Sequence, residues 1–263
     1  MGACFLYGQA GNGVGGKKVP RFTYTGEYKI EDAETENWKV RFLTSGTLVF
    51  KNTPPAIDVF CVGGGAGGQR NEDTGYDACR PGGGGGYTKT DKNVAVKKGE
   101  SYQIVIGAGG AGLEYVKCGT YGNNGGNTSA FGCTAKGGYA AYAGFGLLPG
   151  GNGGSGGGGA GYPGGSDGGN GADSKTTDAY GNGIPLNCRG YGQGTTTRAF
   201  GESDGELFAG GGGGSWANEA DQSGGAGGGG ASYKVGTANT GGGGGCCASG
   251  GSGIVIIRAF KEA

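Results

Sequence analysis

Asp58-Val59-Phe60-Cys61-Val62-Gly63-Gly64-Gly65-Ala66-Gly67-Gly68 passes without a break from an apolar run into a glycine run. The other end of the chain mirrors it, with Gly250-Gly251-Ser252-Gly253 leading into Ile254-Val255-Ile256-Ile257-Arg258. Two apolar strands therefore frame everything between Gly63 and Gly253. Most of the 74 glycines lie inside that frame, as the runs Gly63–Gly68, Gly82–Gly86, Gly107–Gly112, Gly150–Gly161, Gly164–Gly171, Gly210–Gly214, Gly224–Gly230 and Gly241–Gly253. Collagen would need a strict glycine every third residue and far more than the 7 prolines present. A disordered low-complexity chain would not alternate its glycines with segments rich in Val, Ile, Tyr and Phe.

The residues that interrupt the runs often fall three apart: Ala108 and Ala111, Asn152 and Ser155, Asp167, Asn170 and Asp173, Ser249 and Ser252. An extended left-handed helix has three residues per turn and rises about 3.1 Å per residue, so such residues share one edge and leave two edges bare. That helix makes no internal hydrogen bonds, and its N–H and C=O groups must be satisfied by neighbours or water. The spacing predicts polyglycine II helices packed side by side, although a chain this rich in glycine also produces threefold spacings by chance. Ordering the backbone costs roughly 1–2 kcal/mol per residue against about 0.5–1.5 returned per hydrogen bond. An apolar base must hold the bundle, and the strands are its candidate.

Four segments follow from this reading: an arm over residues 1–19, flexible or docking; N-terminal base strands over 20–62; the bundle with interspersed strands over 63–253; and a closing strand over 254–263. The fold class is all-β, a sandwich-like base carrying a polyglycine II bundle, with no substantial α-helix. Expected strands are Arg21–Ile30, Trp38–Phe42, Thr47–Phe50, Ile57–Val62, Tyr87–Thr90, Val94–Val96, Tyr102–Ile106, Thr128–Phe131 and Ile254–Phe260, with residues 20–62 forming one sheet. If each glycine excursion leaves the base and returns, the far-end loops are Gln69–Pro81, Leu113–Asn124, Tyr139–Pro149, Ala172–Ala209 and Ala231–Thr240. Ser215–Ser223 then turns near the base, and Gly241–Gly253 runs directly into the last strand.

Those far-end loops hold Tyr76, Tyr121, Tyr142, Phe145, Tyr180, Arg189, Tyr191 and Tyr233. Aromatic and Arg side chains bring large contact area at low entropy cost and are favoured at recognition surfaces. The loop set is read as a binding face, against the plainer reading that it covers the bundle's end.

Other chemistry is sparse. Gly63–Gly68 satisfies the G-x-G-x-x-G dinucleotide pattern, but no helical periodicity follows it to hold a pyrophosphate. With no histidine in the sequence, Ser-His-Asp and Cys-His catalysis are excluded. No carboxylate pair stands out as acid and base, and the eight cysteines show no C-x-x-C spacing, so neither an enzyme, a metal site nor a cofactor is expected. Lys and Arg equal Asp and Glu at 21 each, which gives no net field to attract nucleic acid. The longest apolar run, Ile254–Ile257, is far too short to span a bilayer, so no membrane insertion is expected.

The ordered set Phe42–Phe50, Ile57–Gly65, Gly82–Tyr87 with Val94–Gly110, and Gly250–Ile257, together with Thr128-Ser129-Ala130-Phe131-Gly132, resembles the glycine-rich domains of phage and prophage tail proteins and tail-fibre adhesins. The resemblance spans roughly residues 40–260. It implies a β base with a polyglycine II bundle whose end loops touch a host cell-surface receptor, protein or glycan. The chain would be synthesised in the bacterial cytoplasm and mounted on a tail-fibre or tail-tip protein of the virion. A purely structural virion, tail or surface protein is the alternative. An ice-binding protein would instead need a flat face of small residues.

Overall fold

The computed structural model describes residues 18–71, 79–116, 121–142, 148–160, 168–177, 183, 189–216 and 222–261. Among these it contains no α-helix, only strands, extended glycine segments and one short 3-10 turn.

The base is a sandwich of two five-stranded antiparallel sheets. One sheet has the order β1 (Phe22–Tyr24), β4 (Gly46–Phe50), β9 (Ser101–Val105), β11 (Thr128–Ala130), β12 (Cys133–Ala135). The other has β2 (Tyr28–Glu31), β3 (Lys39–Phe42), β14 (Ile254–Ala259), β5 (Ile57–Val62), β8 (Thr88–Val94). Successive side chains of a strand point to opposite faces. Val40, Phe42, Ile57, Val59, Val255 and Ile257 from one sheet therefore meet Leu48, Phe50, Ile104, Ala130 and Ala135 from the other around buried Trp38.

Residues 20–62 do not form one sheet. The expected strand Arg21–Ile30 breaks at Thr25-Gly26-Glu27 into β1 and β2, which lie in different sheets, and β3 and β4 are split in the same way. The close approach at Gly26 explains the break, since a Cβ there would stand 2.7 Å from the Ser45 carbonyl oxygen. A strand of continuous periodicity cannot reveal such a crossing between layers.

β5 and β14 pair in full register from Ile254 with Val62 to Ala259 with Ile57. Their alternate residues Phe60, Val62, Ile254 and Ile256 face away from the sandwich and are covered by Ala199, Phe200, Phe208 and Ala209. Burial on both faces is why these two strands read as continuous apolar runs instead of alternating ones. On this outer face the Arg258 guanidinium, 3% exposed, pairs with the fully buried Asp58 carboxylate at 3.1 Å, donates to Glu202 at 2.7 Å and stacks over the Phe200 ring.

The glycine segments confirm the threefold helix through their hydrogen bonds. Gly63, Ala66 and Gln69 donate to the carbonyls of Tyr87, Gly84 and Pro81; Gly64 and Gly67 to Gly126 and Asn123; Gly65 and Gly68 to Gly251 and Ala248. Every third residue thus serves the same neighbour. Carbonyls of this segment accept in turn from Gly110 and Leu113, from Gly138 and from Gly244. Three neighbours are met through N–H groups and three through carbonyls, so the helix sits among six others in hexagonal packing. The 81–87 segment repeats the pattern, with Gly82 and Gly85 donating to Gly158 and Ser155, Gly83 and Gly86 to Gly244 and Gly241, and Gly84 and Tyr87 to Tyr139 and Lys136. Seven residues at about 3.1 Å each make the bundle roughly 20 Å long, shorter than a ten-residue run would be.

The interrupting residues have a specific task at the bundle's edge, where a neighbouring helix is missing. Their side chains accept backbone N–H groups in its place: Ser249 from Gly112, Ser252 from Asn239, Asn152 from Tyr191, Ser155 from Gly171 and Asp173 from Gly192. Ala108 and Ala111 are simply exposed on the outside edge.

Three parts of the expected path are corrected. Residues 150–160 double back, since Gly151 and Gly154 run alongside Gly82 and Gly85 in the same direction while Ser155 and Gly158 return past them in the opposite one. Ala172–Ala209 is not one far-end loop. Thr197 bonds to Phe208 and approaches Gly171, and residues 199–209 pack on the base, because Phe200 and Phe208 find apolar cover on β5 and β14. Ser215–Ser223 turns at the outer end, where β13 (Ser215–Trp216) pairs with β7 (Cys79–Arg80). Gly241–Gly253 likewise goes out to a turn at Cys246-Cys247 before returning to β14. The expected arm of residues 1–19 lies outside the described residues except for Lys18, which pairs with Glu34, and Val19, whose N–H bonds to Ala33.

Burial pushes the Tyr24 hydroxyl, which donates to the Thr44 carbonyl, up to about 12 from 10.0. The unfolded chain ionises this phenol first, so its contribution to stability is complete below pH 10 and is lost as pH rises through about 12. Urea unfolding across that range should show stability falling, and Tyr24→Phe should flatten the fall.

Candidate binding surface at the outer end of the bundle

Beyond the glycine helices the chain changes to short ladders. β6 (Gln69–Asn71) pairs in parallel with β10 (Leu113–Val116), β7 with β13, and single bridges join Tyr121 to Tyr142 and Leu148 to Ala160. Side chains reappear here because the close hexagonal packing has ended.

Tyr121 and Tyr142 stand together on this surface, with ring centroids 5.0 Å apart, 70% and 38% exposed. Their positions are set from below. Gln69, fully buried, donates its amide to the Ala141 carbonyl, and Gly122 donates to the same oxygen at 3.2 Å. Tyr233 forms a second aromatic point, 44% exposed, with the buried Arg80 guanidinium 5.8 Å from its ring centroid and donating to its hydroxyl. Ser232 fixes the adjoining backbone, accepting from the Gln222 N–H at 3.1 Å and donating to the Gly214 carbonyl at 2.9 Å. Val235 is 66% exposed on the same return segment.

The expected site residues divide accordingly. Tyr121, Tyr142 and Tyr233 lie at the outer end. Tyr191 is exposed on the bundle's flank nearer the base, since its carbonyl accepts from Gly153, which rests against Gly85. Arg189 is half-buried beside Gly190, a packed position. Tyr76, Phe145 and Tyr180 lie outside the described residues. Sequence reasoning passed over Arg80 and Val235. Arg80 stands one residue before Pro81 at the mouth of a glycine run, a place that marks the helix end; Val235 carried no signal.

Among the described residues no group of three or more His, Cys, Asp or Glu is placed to hold a metal ion, and no helix is long and apolar enough to cross a membrane. A cleft of about 120 Å³ lies on the base between Lys39, Arg41, Phe200, Glu202 and Glu206. Its charges are already spent on one another, with Arg41 bonded to Glu206 at 2.7 Å and to Glu31 at 2.8 Å.

The fold and surface together define an all-β protein that carries a polyglycine II bundle with an aromatic outer end. A model described as a glycine-rich domain matches residues 43–260, and the chain belongs to this family of glycine-rich domain proteins. No curated protein matches it. The match begins after β3, so β1, β2 and β3 are supplied by sequence outside it.

Proposed function

We propose that this protein is a non-enzymatic phage or prophage tail-tip adhesin, mounted on a tail-fibre or tail-tip protein, that binds a host cell-surface receptor through the outer end of its bundle. The observation that carries the reading is the contrast between a bundle whose backbone groups are engaged with one another and an end that exposes Tyr121, Tyr142, Tyr233 and Val235. A rigid stem with aromatic residues at its tip suits attachment, in which complementarity and multivalency supply the binding energy.

Labelled protein applied to a panel of intact bacterial strains should bind some strains and not others. The double variant Tyr121→Ala/Tyr142→Ala should keep its stability within about 0.5 kcal/mol, as expected for exposed side chains. Its strain binding should weaken by at least about tenfold, equivalent to about 1.4 kcal/mol. Unchanged binding by that variant would remove the aromatic pair from the receptor site. Absence of binding to every strain infected by related phages would favour the purely structural virion role.

A further inference from the structure

Four of the described cysteines carry free thiols, and they form two pairs of opposite character. Cys61 and Cys133 face each other inside the sandwich, where the hydrogen bond to Cys133 and burial push the Cys61 thiol far up. That pair is sealed and unreactive. Cys246 and Cys247 occupy the outer turn of the last excursion. Cys246 is fully buried, its N–H bonded to Gly213 at 3.1 Å; Cys247 is partly exposed and held at φ 64°. Around Cys246 converge the Cys247 thiol, the Tyr233 N–H, the Arg80 charge and the Ser232 hydroxyl. The hydrogen bond from Cys247 leads the other three in favouring the thiolate, and together they outweigh burial and draw the thiol below its usual range.

We propose that Cys246 and Cys247 are a thiol–disulfide exchange site that takes a low-molecular-weight disulfide of the glutathione type and closes to a vicinal disulfide. Exposure orders the steps. The Cys247 sulfur, which a reagent can reach, attacks one sulfur of the disulfide; a Cys247–S–S bond forms, the reagent's S–S bond breaks, and the first thiol leaves with the Cys247 proton. The Cys246 thiolate then attacks Cys247 Sγ, forming the bond between the two cysteines. The second half of the reagent is expelled as a thiolate and takes its proton from water. The protein pair is oxidised by two electrons and the disulfide is reduced to two thiols. Arg80 and Ser232 are positioning residues that keep Cys246 ionised beneath Cys247.

The test is peptide mapping after incubation of the folded protein with oxidised glutathione. Cleavage after Lys234 and Arg258 releases Val235–Arg258, which contains Cys246 and Cys247 and no other cysteine. In the parent protein this peptide should become lighter by two hydrogens and retain no glutathionyl group. In Cys246→Ser, and in Cys246→Ala as a second variant should the first fail to fold, the second step is lost and one glutathionyl group should stay on Cys247. A parent peptide that is unchanged, or that keeps a stable glutathionyl group, overturns the proposal. So does a Cys246 variant of unchanged melting temperature that retains none.

Discussion

Gly83→Ala should lower the unfolding free energy by at least about 3 kcal/mol, while Gly183→Ala should leave it within about 0.5 kcal/mol, both read by urea unfolding. A Cβ at Gly83 would stand 2.2 Å from the Ala66 carbonyl oxygen and 2.9 Å from that of Gly67, both backbone atoms of a helix that is itself packed on every side. Neither can rotate away. The two helices must separate, and separation strains the bonds from Gly83 to Gly244, from Gly212 to Gly83 and from Ala66 to Gly84, all at 2.9 Å. Each lost bond costs about 1 kcal/mol and overpacking adds about 1–3. At Gly183 an added Cβ meets nothing within 4 Å and φ is not in the left-handed region. Gly243→Val and Gly227→Val should be at least as damaging as Gly83→Ala. Gly243 would bring a Cβ 2.1 Å from the Gly83 oxygen, and Gly227 combines φ 92° with a contact 2.6 Å from the Phe208 oxygen. Equal stability of the Gly83 and Gly183 variants would show that the helices are not held at this spacing.

The second large effect is expected where the bundle's cover meets the base. Arg258→Met should destabilise by about 3–5 kcal/mol, because it leaves the Asp58 carboxylate fully buried with the Asn93 N–H, at 3.2 Å, in place of a guanidinium partner. It also releases Glu202 and removes the stack on Phe200, whose φ of 57° is held in place by its contacts with Arg258 and Phe60. Adding Asp58→Asn to Arg258→Met should recover a large part of the loss, since the buried charge goes with its partner. Melting of the single and double variants checks this. A double variant no more stable than Arg258→Met would mean that packing of the guanidinium, and not its charge, holds residues 199–209 on the sheet.

Much of this architecture was legible in the residues. The continuous apolar runs at Ile57–Val62 and Ile254–Ile257 marked the central strand pair, and the spacing of Ser249 and Ser252 or Ala108 and Ala111 marked the edges of threefold helices. The strands near Val94 and Tyr102 were read with small shifts of boundary: one strand runs Thr88–Val94 through Asn93 at φ 56°, and the next begins at Ser101. β12 was missed, because three residues of small and polar character carry no periodicity. At the outer end, Tyr121, Tyr142 and Tyr233 were legible as aromatic residues in loops, whereas Tyr191 was assigned by position in the chain to an end it does not occupy. Counting excursions fails when a run such as Gly150–Gly161 contains its own reversal, since glycine permits a turn at any point without leaving a mark.

By itself the sequence determined the class of structure: an all-β base, threefold glycine helices that need neighbours for their backbone groups, and neither histidine chemistry nor a spanning helix in apolar runs this short. Those conclusions rest on composition and on local periods of two and three, which the chain carries in every short window. Tertiary structure alone decided which helix lies beside which, which turns face outward, and that residues 199–209 cover the base. Each polyglycine II helix offers nearly identical N–H and C=O groups on all three edges, so local sequence cannot distinguish one neighbour from another. The choice is made by the few side chains at the ends: Phe200 and Phe208 seeking β5 and β14, Arg258 seeking Asp58, and Arg80 reaching Tyr233.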